Sequence, residues 1–416
     1  MNATVDKLPD KEEVDKLKIP LEERKSVSLL LGAGFSAPKG YPVGDQINDE
    51  LQNFDKNIDF APDGSICSNK DGSKPIFHIG AGLNPHQKFF IFCQRLIKEY
   101  SKGHQFNYEE FYDFINSKEL DQYRYKKLLS DLLTEYESFE YYVYNLNHIY
   151  NQMVAHLLKD IEGKTFYDNE PDKIGYIQGY NGFLSYLSKI QKDLIINIHT
   201  LNHDLLFESF NKTEYLNGNI SDGFIELGSP YYGKLYCNEI LYHCRLKRFT
   251  NHYDTPIRLF KLHGSLDYVP FYNTNKFGEM TLDNYVKITY GIGYGAIVKE
   301  NKYKKVYDSS PFAYHADFLT GTTYKIGRYG HGIFKTLFGS FKANLQKAEK
   351  LIIIGYGCKD KGINEIIKDN FDFKNKPVFI VDKYTEDGSP VYKFKDEINA
   401  RLIKAEIENL TEEMFQ

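Results

Sequence analysis

Residues 26 to 36 read SVSLLLGAGFS, an apolar run that passes directly into a glycine-rich turn. A continuous apolar run of this length predicts a strand covered on both faces, as in a parallel sheet. Glycine permits a close approach of the backbone to a pyrophosphate, and with Ala37 the turn matches the G-x-G-x-x-A dinucleotide-binding pattern. The stretch therefore predicts the first strand of an α/β sheet that ends at a ligand site, with a purely structural turn as the alternative.

Four further apolar runs resemble the first, and each ends in a polar or glycine-rich turn: Leu194–Ile198, Ile257–Leu262, Leu351–Ile354 and Val378–Val381. Segments with apolar residues at helical spacing lie between or after them: Gln87–Tyr100, Phe139–Ile161, Phe334–Leu345 and Glu397–Ile407. Strands that alternate with helices predict a doubly wound α/β fold with a mostly parallel sheet.

The predicted strands and helices divide the chain into three parts. Residues 1–25 form a charged N-terminal segment, residues 84–191 form a large helical insertion, and the α/β domain comprises residues 26–83 and 192–410. Two stretches within that domain, Ser221–Arg248 and Val269–Arg328, are rich in Gly, Tyr and Asn. We expect them to form loops and a small irregular module.

Composition bounds the environment of the chain. The 416 residues carry a net charge of −5, which predicts no strong attraction to membranes and at most an indirect role for nucleic acid. No apolar run is long enough to span a bilayer, and the N-terminus lacks the apolar region of a secretory signal. The five cysteines are odd in number and scattered, which argues against a disulfide framework. We expect a cytoplasmic protein.

The residues that follow the five predicted strands carry the candidate chemistry. Parallel strands deliver their carboxyl ends to one edge of the sheet, where ligands bind at the point at which the strand order reverses. Besides the first glycine turn, this edge receives Asn202, Asp204, His263, Gly355, Gly357 and Asp382. Together these clusters predict one binding site.

Each polar side chain of this group has a functional and a structural interpretation. The Asn202 amide suits a ribose hydroxyl or a water, and the Asp204 carboxylate suits a carboxamide, but both residue types also cap helices. His263 suits a general base because the usual pKa of histidine is near ~6.5, although a lone histidine is often a core residue. Pro38 and Pro42 directly after the glycine turn argue against a hydride-transferring dehydrogenase, since they prevent a clean helix start.

Three of these segments resemble sirtuin motifs: GAGFS at residues 32–36, TLNHD at 200–204 and KLHG at 261–264. The turn at residues 355–357, with Asp360, Ile363 and Asn364, resembles a late segment of bacterial sirtuin-like defence proteins. The resemblance implies a sirtuin-like Rossmann-type fold that binds NAD+. It assigns the dinucleotide to Gly32, Ala33, Gly34, Ser36, Gly355 and Gly357, the nicotinamide carboxamide to Asp204, the adenosine ribose to Asp382, and catalysis to Asn202 and His263.

The departures from sirtuins narrow the expected activity. Cys237 and Cys244 cannot form the four-cysteine zinc ribbon of deacylases, so we expect no metal, and residues 37–43 lack the arginine that deacylases carry after this loop. The chain therefore resembles stand-alone sirtuin-like subunits of bacterial antiphage systems, which hydrolyse NAD+ and in one group pair with a HerA-type ATPase. By this resemblance we expect an NAD+ glycohydrolase that forms a homo-oligomer and works with such an ATPase. The alternatives are an NAD-dependent deacylase and a non-catalytic NAD-binding module.

Overall fold

A computed structural model of the chain describes residues 20–54, 58–60, 66–68, 85–117, 125–133, 138–159, 177–289, 292–303, 305–310 and 316–416. Residues 1–19 of the predicted N-terminal segment, and residues 118–124, 134–137 and 160–176 of the predicted insertion, lie outside this range.

Within the described residues the central sheet has seven strands: β1 (Ser26–Leu31), β2 (Ile195–Thr200), β3 (Ile220–Ser221), β4 (Ile257–Lys261), β5 (Leu351–Ile354), β6 (Val378–Val381) and β7 (Arg401–Ile403). Their order is β7-β6-β5-β1-β2-β4-β3, and every neighbouring pair is parallel. The five strands predicted from apolar runs are all present, with β2 ending two residues later than predicted because His199 and Thr200 pair with Leu30 and Leu31. This sheet confirms the α/β fold class.

The helices of the described residues are α1 (Ala33–Ser36), α2 (Gly44–Gln52), α3 (Pro85–Tyr100), α4 (Tyr108–Asn116), α5 (Phe139–Lys159), α6 (Asn181–Ile190), α7 (Leu206–Ser209), α8 (Thr323–Arg328), α9 (Gly332–Lys347), α10 (Lys361–Asn370) and α11 (Pro390–Glu397). Three of them, α3, α5 and α9, confirm predicted helices, although the predicted last residue of α5, Ile161, lies outside the described range. No described helix combines the length and apolar character needed to cross a membrane.

Helices cover both faces of the central sheet, which makes it doubly wound. Leu30 packs into one apolar layer with α9, α10 and α11. Leu29 and Leu31 point to the opposite layer, which contains residues of α6 and α7. All three leucines are fully buried, and burial of a leucine side chain contributes about 1.5–3 kcal/mol. The strands that follow β1 in the chain, β2 to β4, lie on one side of it, and the later strands β5 to β7 lie on the other side. The strand order therefore reverses between β1 and β5.

Helices α3, α4 and α5 pack together in a separate aromatic-rich core, with Phe92, Phe111, Tyr142 and Tyr150 fully buried. This core continues into α2 and Phe318, so the helices contact the α/β domain. Helix α6 falls inside the predicted insertion but packs on the central sheet instead.

The prediction of loops and an irregular module for Ser221–Arg248 and Val269–Arg328 is wrong. The described residues there form two four-stranded antiparallel sheets. One comprises Gly223–Ile225, Lys247–His252, Tyr268–Thr274 and Met280–Lys287, and the other Tyr231–Cys237, Ile240–Arg245, Ile297–Asn301 and Val306–Ser309. The strands Ile240–Arg245 and Val306–Ser309 are largely exposed, so their residues do not alternate between apolar and polar as half-buried strands do.

The predicted helix Glu397–Ile407 is also wrong. Helix α11 ends at Glu397, Asn399 takes a positive φ of 48°, and β7 follows at Arg401–Ile403. The three apolar residues at helical spacing do not lie on one helix face: Ile398 is buried in the layer with α9, α10 and α11, whereas Ile403 and Ile407 are buried in the opposite layer. Periodicity alone does not distinguish these cases over so short a segment.

Candidate functional site

The turns after β1 and β5 interlock where the strand order reverses. The Gly32 amide donates to the Ile354 carbonyl at 3.0 Å, and the Gly34 amide donates to the Gly355 carbonyl at 2.9 Å. A Cβ on Gly32 would lie 2.7 Å from the Gly355 oxygen, and one on Gly355, whose φ is +62°, would lie 2.3 Å from the Phe35 nitrogen. These glycines are therefore required by the contact between the two turns.

Gly357 differs from its neighbours in the same turn. A Cβ added there would meet nothing within 4 Å, and its φ is not positive. The fold therefore does not require a glycine at this position. Because Gly357 lines a cavity, the missing side chain leaves backbone accessible to a ligand.

All the predicted site residues line this one cavity of about 370 Å³: Gly32, Ala33, Gly34, Ser36, Asn202, Asp204, His263, Gly355, Gly357 and Asp382. A second cavity of about 600 Å³ adjoins it. The two share Gly34, Tyr41, Val43, Gly355 and Asp382 in their walls. Together they extend across the point where the strand order reverses, which is where open α/β sheets bind ligands.

Asn202 connects the loop after β2 to the turn after β1. Its Nδ2 donates to the Gly32 carbonyl at 3.0 Å and to the Ser36 hydroxyl at 2.9 Å. Its backbone amide donates to the Thr200 hydroxyl. The side-chain nitrogen is a donor in both of the bonds above, whereas a helix-capping asparagine accepts through its oxygen. With both amide hydrogens used, the group that Asn202 can offer to a ligand is its Oδ1 acceptor.

Asp204 is buried in the loop before α7 and lines the cavity. Its Oδ1 accepts from the Leu206 amide at 3.0 Å, which fixes the turn before α7, whose N-cap is Leu205. Burial raises the pKa of Asp204, and this effect outweighs Lys261 and the hydrogen bonds from Leu206 and Ser36, which lower it. The carboxyl lines the cavity, where it can accept from a ligand N–H group.

Asp382 lies after β6 and lines both cavities. Its Oδ1 accepts from the Tyr384 amide at 2.9 Å, which fixes the turn that follows the strand. The side chain is half-buried, so it is accessible from the shared wall of the two cavities.

His263 is buried at the end of β4, and its Nε2 has no hydrogen-bond partner among the described residues. The closest acidic group is Asp360, whose Oδ2 lies 3.6 Å from Nε2. Burial lowers the pKa of His263 well below its ordinary value, and the positive charge of Lys325 and neighbouring His203 lower it further. The ring is therefore neutral near pH 7, and its unpartnered Nε2 can accept a hydrogen bond from a ligand hydroxyl or water.

The sequence did not predict a buried ionic group next to His263. The Nζ of Lys325 on α8 lies 2.8 Å from Oε1 of Glu109 and 2.9 Å from Oδ2 of Asp360, and all three side chains line the cavity. Burial by itself would lower the pKa of Lys325, but Glu109 and Asp360 outweigh it and raise the pKa. Burial raises the pKa of Glu109, with Lys325 opposing this in part.

Asp360 belongs to the motif noted in the sequence at residues 355–364, and each of its two carboxylate oxygens makes a different contact in the structure. Its Oδ1 accepts from the Ile363 amide at 3.2 Å and caps α10, while Oδ2 faces Lys325 and His263. Glu109 lies at the start of α4 in the predicted insertion. Its position 216 residues from Lys325 explains why no local pattern connects the two.

Metal-binding side chains do not cluster in the described part of the chain, where no group of three or more His, Cys, Asp or Glu residues could hold an ion. Cys237 and Cys244 lie on adjacent strands of an antiparallel sheet, and neither lines the two cavities described above.

Solved structures of Sir2 enzymes are similar to this chain at low identity. One, from work on the structural basis for the mechanism and regulation of Sir2 enzymes, is 10% identical with a TM-score of 0.34, over 95% of this chain and 93% of that chain. A second, from work on sirtuin substrate affinity, is 12% identical with a TM-score of 0.31, over 96% of both chains. A Sir2 homologue in complex with NAD is 11% identical with a TM-score of 0.30, over 95% of this chain and 89% of that chain.

No family model matches the sequence, and the search of curated proteins found no match. Similarity to solved structures at the level given above establishes neither a family nor an activity. The fold class rests on the parallel strand order, and the site rests on its own geometry.

Proposed function

We propose that the chain is a sirtuin-like NAD+ glycohydrolase that cleaves the bond between nicotinamide and ribose. The observation that carries the proposal is the convergence of Asn202, Asp204 and His263 on one cavity where the strand order reverses. The unpartnered Nε2 of a neutral His263 supports the role of proton acceptor for a ribose hydroxyl or water.

The two adjoining cavities fit a dinucleotide. A long ligand can lie across the shared wall at Gly34, Gly355 and Asp382, with its two halves in separate cavities. We assign the nicotinamide half to the cavity with His263 and the adenosine half to the second, where the Asp382 carboxylate can accept from ribose hydroxyls. The open backbone at Gly357 suits the approach of a phosphate-linked chain.

Cleavage of this bond passes through an oxocarbenium-like transition state, so the site must hold the sugar, orient the leaving group and place a water. Asp204 orients the carboxamide, and the Oδ1 of Asn202 accepts from a ribose hydroxyl or the water. His263 takes a proton from that hydroxyl or water as the bond between ribose and nicotinamide breaks.

The proposed cellular role is antiphage defence by NAD+ depletion in the cytoplasm, with a homo-oligomer of this chain working beside a HerA-type ATPase. Its support is the motif resemblance, together with the need to restrain an enzyme that would otherwise consume the NAD+ of its own cell.

Light scattering of the purified chain tests the oligomer, and a monomeric mass at micromolar concentration contradicts it. Addition of the ATPase tests the partner, and an unchanged rate of NAD+ loss contradicts it.

The test of the activity is incubation of the purified chain with NAD+, followed by chromatography of the products. We expect nicotinamide and an ADP-ribose product to appear without an acyl-lysine peptide. His263→Ala and Asn202→Ala should each reduce turnover by about 100-fold or more, since they remove the base and a positioning group. The matched control is His243→Ala, because His243 stacks on Tyr307 in an antiparallel sheet and should keep the wild-type rate.

The same experiment separates the alternatives. Nicotinamide release that depends on an acyl-lysine peptide indicates the deacylase. NAD+ that binds and stays intact indicates a binding module. Either result contradicts the glycohydrolase, as does a folded His263→Ala variant that retains turnover.

A further inference from the structure

A continuous series of side-chain contacts connects the helical insertion to His263. Glu109 of α4 contacts Lys325 of α8 at 2.8 Å, and Lys325 contacts Asp360 at 2.9 Å. Asp360 in turn lies 3.6 Å from the Nε2 of His263. Lys325 has a side-chain exposure of 4%, so water contributes little to its stabilisation and these two carboxylates are its main partners.

Helix α4 makes a second contact with the segment that carries Lys325. Asp113, one turn after Glu109, accepts from the Thr322 amide at 3.1 Å and from the Thr322 hydroxyl at 2.5 Å. Gly321 directly before it has a φ of +97°, and a Cβ there would lie 2.3 Å from Oδ1 of Asp113. The chain is therefore held tightly against α4 at both ends of the segment from Thr322 to Lys325.

For the reaction proposed above, we propose that Lys325 is a positioning residue through which helix α4 of the insertion holds Asp360 and thereby His263. Two acids on one face of α4 fix the segment that carries Lys325, and Lys325 engages the carboxylate that faces the histidine. The insertion is then part of the active site, and displacement of α4 switches the site off.

The pKa of His263 depends on the titratable and charged groups that face its ring. They are Lys325 from α8, Asp360 from the start of α10, His203 from the loop after β2, and the Tyr329 ring at 6.4 Å. While Lys325 engages Asp360, the lysine charge offsets the charge of the carboxylate, and burial together with Lys325 keeps the histidine uncharged. Without the lysine charge, Asp360 becomes an unpaired carboxylate beside the ring and favours imidazolium.

The first experiment measures the pKa of His263 by NMR in the protein without NAD+, with the resonance identified by its loss in His263→Ala. In Lys325→Met we expect the pKa of His263 to rise from its wild-type value, because the repulsion from the lysine is lost and Asp360 is unpaired, while burial still opposes the rise. A site that merely loosened would show the same rise in the double variant Lys325→Met with Asp360→Asn. In that double variant we expect the pKa to fall below that of Lys325→Met, because the carboxylate is gone.

The control is Lys299→Met, which removes an ion-paired lysine from an antiparallel sheet, 2.6 Å from Asp283. It should leave the pKa of His263 unchanged. A His263 pKa that stays at its wild-type value in Lys325→Met overturns the proposal, and so does a double variant that matches Lys325→Met.

The second experiment tests the link to the insertion through turnover. Glu109→Ala removes the acceptor for Lys325 and should reduce kcat by about 10-fold or more with little change in KM, because it displaces a group that orients the base. Glu109→Gln keeps an oxygen acceptor and should restore kcat to within about threefold of wild type. Equal losses in Glu109→Ala and Glu109→Gln contradict a positioning role.

The two experiments separate failure of this inference from failure of the proposed activity. If the wild-type protein does not cleave NAD+, the glycohydrolase proposal fails, but the pKa of His263 still reports whether Lys325 and Asp360 act on it. If the wild-type protein cleaves NAD+ and Lys325→Met leaves the histidine unchanged, the coupling fails and the activity stands.

Discussion

Two buried lysines, Lys325 and Lys287, each bind carboxylates from separate parts of the chain. They differ in position, because Lys325 lines a cavity and Lys287 does not. The contacts of Lys325 lead through Asp360 to a neutral histidine that lines the cavity. Lys287 contacts Asp222 at 2.6 Å and Asp267 at 3.3 Å, and is not among the residues that line either cavity.

The Lys287 cluster is connected to the site through Lys261. Its third carboxylate, Glu208, lies 3.7 Å from Lys287 and 3.2 Å from Lys261. Lys261 also donates to the backbone carbonyls of His203 and Asp204, in the loop that carries Asn202. The comparison indicates that the Lys287 cluster holds the loop that carries Asn202 and acts on Asp204, whereas the Lys325 cluster acts on His263.

The largest expected effect is on stability, in Lys287→Met. The substitution leaves Asp222, Asp267 and Glu208 as buried carboxylates without their shared cation, and such a loss costs about 3–5 kcal/mol. The measurement is the free energy of unfolding from urea denaturation at pH 7. A loss below about 1 kcal/mol would show that the cluster is not a major source of stability.

The same variant also tests whether the Lys287 and Lys325 clusters act independently. If the two clusters are independent, the pKa of His263 by NMR stays at its wild-type value in folded Lys287→Met. A change as large as that in Lys325→Met would show that both lysines act on the histidine.

Asp222→Asn should give an intermediate, pH-dependent loss of stability. Burial alone would raise the pKa of Asp222, but Lys287 and Lys247 outweigh it and lower the pKa. A lowered pKa means that the carboxylate stabilises the fold above its unfolded value near ~3.9, and that this stability is lost as the pH falls through the folded pKa. We expect Asp222→Asn to be about 1–3 kcal/mol less stable than wild type at pH 7.

Urea denaturation from pH 7 down to pH 3 checks the sign of this effect. The difference between Asp222→Asn and wild type should shrink at the acid end. A difference that stays constant over the range contradicts a stabilising carboxylate.

Much of the central sheet could be predicted because its strands are buried on both faces. Continuous apolar runs such as Leu351–Ile354 are typical of that environment, and the structure confirms them. The edge strands β3 and β7 have two and three residues, too few to give a pattern. The antiparallel sheets were missed because exposed tyrosines and other apolar side chains, such as Tyr236 and Tyr242, obscure the alternation of a half-buried strand.

Only part of the candidate site could be predicted from the sequence. Residues that directly follow a predicted strand, such as Asn202 and His263, could be placed at one edge because parallel strands deliver them there. Glu109 and Lys325 lie on helices far apart in sequence, and only tertiary packing brings them together. Neither has a local signal, since a glutamate at a helix start and a lysine near a helix end are common in solvent-exposed helices.

The smallest expected effect is in Asp267→Asn, and its pH dependence should run opposite to that of Asp222→Asn. Burial raises the pKa of Asp267, and this outweighs the opposing charge of Lys287, while Glu208 raises the pKa further. A raised pKa means that the contribution of Asp267 to stability is fully present below the unfolded value near ~3.9 and is lost as the pH rises through the folded pKa. The neutral amide avoids that loss, so the free energy of unfolding at pH 7 should lie within about 1 kcal/mol of wild type.

Relative to wild type, Asp267→Asn should become more stable as the pH rises from 3 to 7 in the same urea series. A loss that grows toward pH 7 would show that both carboxylates stabilise the fold through Lys287, and would remove the contrast between them.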